Sequence, residues 1–128
     1  MEYEQMIATV RQRAGLGENE AVRSVQAVLS VLGERLAGRE ADNLAGQLPD
    51  RLDASVTRNP QGRQWDIGDF LKHVGDREQV ANADHVRQHA QAVLRTVAEA
   101  LNDDERHDLL AQLPGGIIDL FGVPTPRG

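Results

Sequence analysis

QAVLSVLGERLAGREADNLAGQLP, residues 26–49, and QAVLRTVAEALNDDERHDLLAQLP, residues 91–114, are two versions of one pattern. Both open on Gln-Ala-Val-Leu and close on Gln-Leu-Pro, and every residue of the second stands 65 positions after its counterpart in the first. Glu34, Leu36, Glu40 and Leu44 thus fall on Glu99, Leu101, Glu105 and Leu109. Upstream the match continues at a spacing of 64, with Met6, Ile7, Val10, Arg13 and Leu16 ahead of Phe70, Leu71, Val74, Arg77 and Val80. The spacing changes in the loop before the longer segment. A single-residue insertion there leaves the packed faces on either side undisturbed.

Each copy carries helical periodicity. In the first, Met6, Ile7, Val10 and Ala14 form one apolar stripe, which Gly15 and Gly17 close. A longer stripe runs through Ala21, Val25, Val28, Leu29, Leu32 and Leu36 and is expected to end at Gly38. A short third segment carries Leu44 and Leu48 and stops at Pro49, because proline disfavours the helical conformation of the residue before it. The second copy repeats the plan with Ile67, Phe70, Leu71 and Val74, then Val86, Ala90, Val93, Val97 and Leu101, then Leu109, Leu110 and Leu113 before Pro114. Asn102 followed by Glu105 reads as a helix-start capping pair. No stretch sustains the period of two that a half-buried strand needs, so the class is all-α. The polar segment 57–64, TRNPQGRQ, reads as a linker. A unit of roughly 64 residues is marginal alone. The expected architecture is therefore one domain over 1–128, a compact helical bundle of two tandem pseudo-symmetric repeats of three to four helices. Repeat one spans 1–56 and repeat two 65–121, with a tail at 122–128 that should fray.

Composition narrows the function classes. Apolar residues make up 40% of the chain but aromatics only 3%, so the core must be built from Leu, Val, Ile and Ala. A net charge of −6 argues against nucleic acid, whose affinity rests on neutralising phosphates. With no cysteine there are no disulfides, thiolate metal ligands or cysteine nucleophiles. The opening Met1-Glu2-Tyr3-Glu4 is acidic where a secretory signal is basic. No apolar run approaches the roughly 20 residues of a membrane span. Lys72 is the single lysine among 14 Lys and Arg, the residue usage of a GC-rich bacterial genome. The expected location is the cytoplasm.

VLSVLGERLAGREADNLAGQLPDRL and VLRTVAEALNDDERHDLLAQLP, each preceded by a short helix with an apolar pair (MIATV, FLKHV), resemble the bacterial domain-of-unknown-function family 2267. The resemblance covers about Tyr3 to Phe121. The second copy departs from the family pattern at Gly115-Gly116, where a charged or aromatic helical segment is more usual. The resemblance implies a compact helical fold in a prokaryotic cytoplasmic protein. It implies no activity and supplies no catalytic residues.

Candidate chemistry is sparse. His85 and His89 stand four apart and could reach one metal ion. Their sequence, His-Val-Arg-Gln-His, lacks the glutamate of a zinc-protease motif, further ligands are missing, and Glu20 and Ser24 replace the pair in the first copy. They read as surface histidines. Asp103, Asp104 and Glu105 suit a helix start, where carboxylates meet the positive end of the macrodipole, and they lack the spacing of a calcium loop. Ser24, Ser30 and Ser55 have no glycine-flanked elbow, and GLGENE at 15–20 lacks the lysine of a phosphate loop. Arg51, Arg58 and Arg63 gather around the linker but are diluted by Asp50 and Asp53. Trp65 is either a staple that packs the linker or an anchor for a partner. Ile117, Ile118, Leu120 and Phe121 must either fold back onto the long helices or pair with a second molecule in an isologous dimer.

No cofactor or metal is expected and no catalytic residue is assigned. The leading reading is a non-enzymatic protein-interaction module that meets a protein partner or a second copy of itself. The alternative is a small-molecule-binding protein or enzyme with a pocket between the two repeats.

Overall fold

A computed structural model of the chain describes residues 1–59 and 62–122. Within them the fold is all-helical: α1 (Tyr3–Ala14), α2 (Glu18–Arg35), α3 (Gly38–Gln47), a 3-10 turn (Asp53–Ser55), α4 (Ile67–Glu78), α5 (Ala83–Ala100), α6 (Asp103–Leu110) and α7 (Gly115–Leu120). The expected fraying of the tail concerns residues that, beyond Gly122, lie outside those described.

The helices are the ones the apolar stripes require, and one core joins them. Met6, Ile7 and Val10 of α1, Val25, Val28, Leu29 and Leu32 of α2, Phe70 and Val74 of α4, and Val93, Leu94 and Val97 of α5 are all buried in it. The short helices reach across the halves: α1 packs on both α2 and α5, and α4 packs on both α5 and α2. Each half thus covers the long helix of the other. A three-helix unit would leave that face wet.

Two boundaries differ from expectation. The long helix of the first half stops at Arg35, and Gly38 is the first residue of α3 rather than a terminator. Leu36 and Ala37 are extended and turn the chain, with Leu36 plugged into the core. Ala14, placed on the buried stripe, is only half-buried.

The turns that follow the short helices use one device. Gly15 takes the left-handed conformation (φ 67°) and Arg11 O accepts from both the Gly15 and the Leu16 N–H. Gln79 does the same (φ 62°), with Gly75 O accepting from Gln79 and Val80. This is a Schellman-type ending, and glycine is the residue that adopts it without a Cβ penalty.

Thr57 and Arg63 of the linker, and Trp65 just after it, are held against the C-terminal part of α2. Arg63 N–H donates to Glu34 O at 2.7 Å, Arg35 Nε donates to Trp65 O at 2.9 Å, and Ser30 Oγ meets Thr57 Oγ1 at 2.8 Å. Gly33 permits this approach, since a Cβ there would lie 2.3 Å from Thr57 O.

Two ion pairs cross between the halves. Arg13 of α1 meets Glu99 of α5 at 2.5 Å, and Arg77 of α4 meets Glu34 of α2. Each arginine also donates to a hydroxyl of the same long helix, Arg13 to Thr96 and Arg77 to Ser30. Arg13 and Arg77 are 64 positions apart, Glu34 and Glu99 65, so the two pairs are the same pair with the halves exchanged.

Candidate functional site

Glu78 ends α4 on the buried face, one turn beyond Val74 and two beyond Phe70. Its side chain is only 2% exposed, a position where a carboxylate is costly unless it is paired and hydrogen-bonded. One oxygen meets that demand: Oε1 lies 2.7 Å from His89 Nδ1, which α5 brings in from the neighbouring stripe margin. With Glu78 as the carboxylate, His89 Nδ1–H donates and Nε2 is the ring's remaining nitrogen. The other oxygen, Oε2, is buried and has no hydrogen-bond partner among the described residues.

The pair opens on a cleft of about 210 Å³ where the halves meet. The first half contributes Leu16, Glu20 and Arg23, and the second Glu78, Gln79, Val80 and His89. Arg23 and Glu20 are exposed and form no ion pair among the described residues. Gln79 holds its left-handed backbone on the cleft wall, where glycine would be free of strain. Two other orphan atoms accompany Glu78 Oε2. Ser24 Oγ is buried on α2, and Glu34 Oε2 touches Arg77 as an ion-pair contact without hydrogen-bond geometry.

The residues singled out from sequence are dispersed. His85 and His89 are on one face of α5 with ring centroids 6.4 Å apart, but only His89 joins the cleft. Among the described residues no group of three or more His, Asp or Glu side chains is arranged to hold a metal ion. Trp65 is half-buried against the core and stacks on His73, centroids 4.1 Å apart. Ile117, Leu120 and Phe121 are buried and Ile118 half-buried, with α7 laid on α5 and α4. Arg51 sits over the Tyr3 ring and Arg58 pairs with Asp42. Asn102 and Glu105 form the expected capping box.

Glu78 was missed, although its signal was present. Phe70, Val74 and position 78 share one helix face, and the counterpart of Glu78 at a spacing of 64 is Ala14, on the first stripe. A carboxylate thus stands where the aligned residue of the first stripe is small and apolar. His89 likewise replaces Ser24.

The sequence pattern of an uncharacterized conserved protein family, DUF2267, matches residues 3–120, almost the whole described fold. The chain belongs to the DUF2267 family. Comparison with curated proteins gives no match. As a DUF2267 protein the chain has an all-helical fold in which, among the described residues, no helix is long and apolar enough to cross a membrane. Its family supplies no chemistry, so the cleft must be read from its own residues.

Proposed function

We propose that this protein is a non-enzymatic binding module of the bacterial cytoplasm, built from two structural repeats, with a small-ligand site in the cleft between them. One observation carries the reading: a buried glutamate held by His89, both of them on the wall of a cleft drawn from both halves. Small-molecule sites combine such a concavity with a few convergent polar groups. The seven residues lining the cleft include two carboxylates, an imidazole and a guanidinium, and we read these as binding groups. Thermal-shift and native mass measurements on wild type and Glu78→Gln, with a panel of small amines, acids, zwitterions and neutral amides, test it. Wild type should be stabilised by members of one chemical class and Glu78→Gln by none. A wild type indifferent to every class refutes the site.

A second reading, the protein-interaction module, has its own support. Between α4 and α5 lies a groove of about 500 Å³ where Leu71 and Val80 remain half-exposed, flanked by Lys72, Asp76 and Arg87. A partner helix or a second copy would cover it. Sedimentation velocity across a wide concentration range, on wild type and Leu71→Asp, addresses the self-association form. A concentration-dependent dimer lost in the variant supports it, and a monomer throughout removes it.

A further inference from the structure

We propose that the groove between α4 and α5 receives a second copy of this chain, turned end for end, in an isologous dimer whose rim is closed by ion pairs. The inference rests on the second reading above, that this groove is an interface, and names the partner and its orientation.

The floor of the groove is apolar, with Leu71 and Val80 half-exposed and Gly75 and Val86 buried. Its rim carries four exposed charges, Lys72 and Asp76 on α4 and Asp84 and Arg87 on α5, and none of them forms an ion pair among the described residues. Their counterparts at spacings of 64 and 65 are Ala8, Gln12, Asn19 and Val22, all uncharged. The first half thus builds the same helix pair without these charges, so the packing of α4 on α5 does not require them. The floor differs as well. Gly68 and Gly75 stand where the first half has Glu4 and Arg11, and Leu71 is half-exposed where Ile7 is buried.

The order of the charges selects the partner. Helix α4 runs into the turn at 79–82 and α5 runs out of it. On each helix the acid is nearer the turn and the base about one helical turn farther. The separation along the axis is roughly 6 Å for Asp76 and Lys72 and roughly 4.5 Å for Asp84 and Arg87. The groove is therefore acidic at one end and basic at the other. A partner of single sign pairs with one end and is repelled by the other. A two-fold axis that lies in the interface and crosses both helices sets α4 against α4 and α5 against α5, with directions reversed. Lys72 then meets Asp76 of the second copy and Arg87 meets its Asp84, each contact occurring twice. An apolar centre with a polar rim is the anatomy of specific interfaces. The rim sums to zero, so the contact escapes the repulsion between two chains of net charge −6.

The test uses sedimentation velocity and native mass spectrometry on the full-length protein and two charge variants. One carries Lys72→Asp and Arg87→Asp, the other Asp76→Lys and Asp84→Lys. The expected result is a concentration-dependent wild-type dimer, each variant alone about a hundredfold weaker or more, and a one-to-one heterodimer when the variants are mixed. If either double variant does not fold, Lys72→Asp and Asp76→Lys carry the same mixing test. A wild type that stays monomeric at every concentration would overturn the dimer. Variants that dissociate but do not recombine would overturn the charge complementarity. A dimer lost in Leu71→Asp but kept by both charge variants would overturn the end-for-end arrangement and leave the groove as an interface. A dimer kept by all three would remove the groove from it.

Discussion

Glu2, Gly17 and Ala37 are the N-caps of α1, α2 and α3; Asp66, Asn82 and Asn102 are those of α4, α5 and α6. The positions correspond at spacings of 64 and 65, yet the two sets behave differently. Asp66, Asn82 and Asn102 each accept a hydrogen bond from the N3 backbone, and Asp66 and Asn102 complete capping boxes with Asp69 and Glu105. None of the first three makes a side-chain cap. The helices nevertheless start at equivalent places. Boundaries in this fold are therefore set by the apolar stripes and the turns between them, and caps add stability to boundaries already fixed.

The comparison is broken most readily in the core. Leu29 and Leu94 stand 65 apart, each fully buried in the middle of its long helix. Leu29→Ala and Leu94→Ala should each lose roughly 2–5 kcal/mol in urea unfolding, from lost burial and the cavity left behind. If the halves share one core as repeats, both variants unfold in a single transition with losses of similar size. Two transitions, or a trivial loss at one site, would show that the halves are stabilised separately.

The caps come next. Asn102→Ala should cost about 1 kcal/mol, and the sharper experiment runs the other way. Ala37 has the extended backbone of an N-cap (φ −63°, ψ 152°), and Glu40 already stands at N3, where Glu105 completes the box of α6. Ala37→Asn should therefore gain about 1 kcal/mol by completing the box in the first half. A thermal melt with no gain would mean that α3 starts where it does for a reason the caps do not capture.

What could be read from sequence follows the same division. Stripes repeat every three to four residues and survive divergence, so Val25, Val28, Leu29 and Leu32 and their counterparts placed the long helices correctly. Asn102 announced its helix because its side chain is a cap former. Ala37 did not, and Gly38 was read as a stop although it begins α3. Glu78 was hidden for a different reason. A charged residue at a helix end is usually solvated, and only the partner from α5 and the burial by neighbouring elements reveal that it is not. The crosswise use of Arg13 and Arg77 was equally invisible, since matching residues in two repeats does not say which half each side chain faces.

Gln79 and Gly15 sharpen the contrast at the cleft. Both are left-handed, but only Gln79 has a Cβ to strain there. Gln79→Gly should raise stability by roughly 0.5–1 kcal/mol while weakening any ligand of the cleft. A stabilised variant with unchanged ligand affinity would make Gln79 a relic of drift rather than part of the site.

The smallest effect tests the exchanged ion pairs. Glu99 is 44% exposed in its pair with Arg13, whereas Glu34 is 17% exposed in its pair with Arg77. Solvent screens the first more, and exposed pairs of this kind contribute little. Double-mutant cycles to alanine should give a coupling of about 0.5 kcal/mol or less for Arg13–Glu99 and about 1 kcal/mol for Arg77–Glu34. Raised salt should erode the first coupling before the second. The hydroxyl partners complicate each cycle, because Arg77→Ala also releases Ser30 and Arg13→Ala releases Thr96. Repeating both cycles in a Ser30→Ala, Thr96→Val background isolates the charge terms. If the two couplings are then equal and equally sensitive to salt, burial of Glu34 counts for nothing and the halves match in energy as well as in pairing. If the order holds, the second half is tied to the first more tightly on one side of the bundle than on the other, and local opening should begin at the Arg13–Glu99 side.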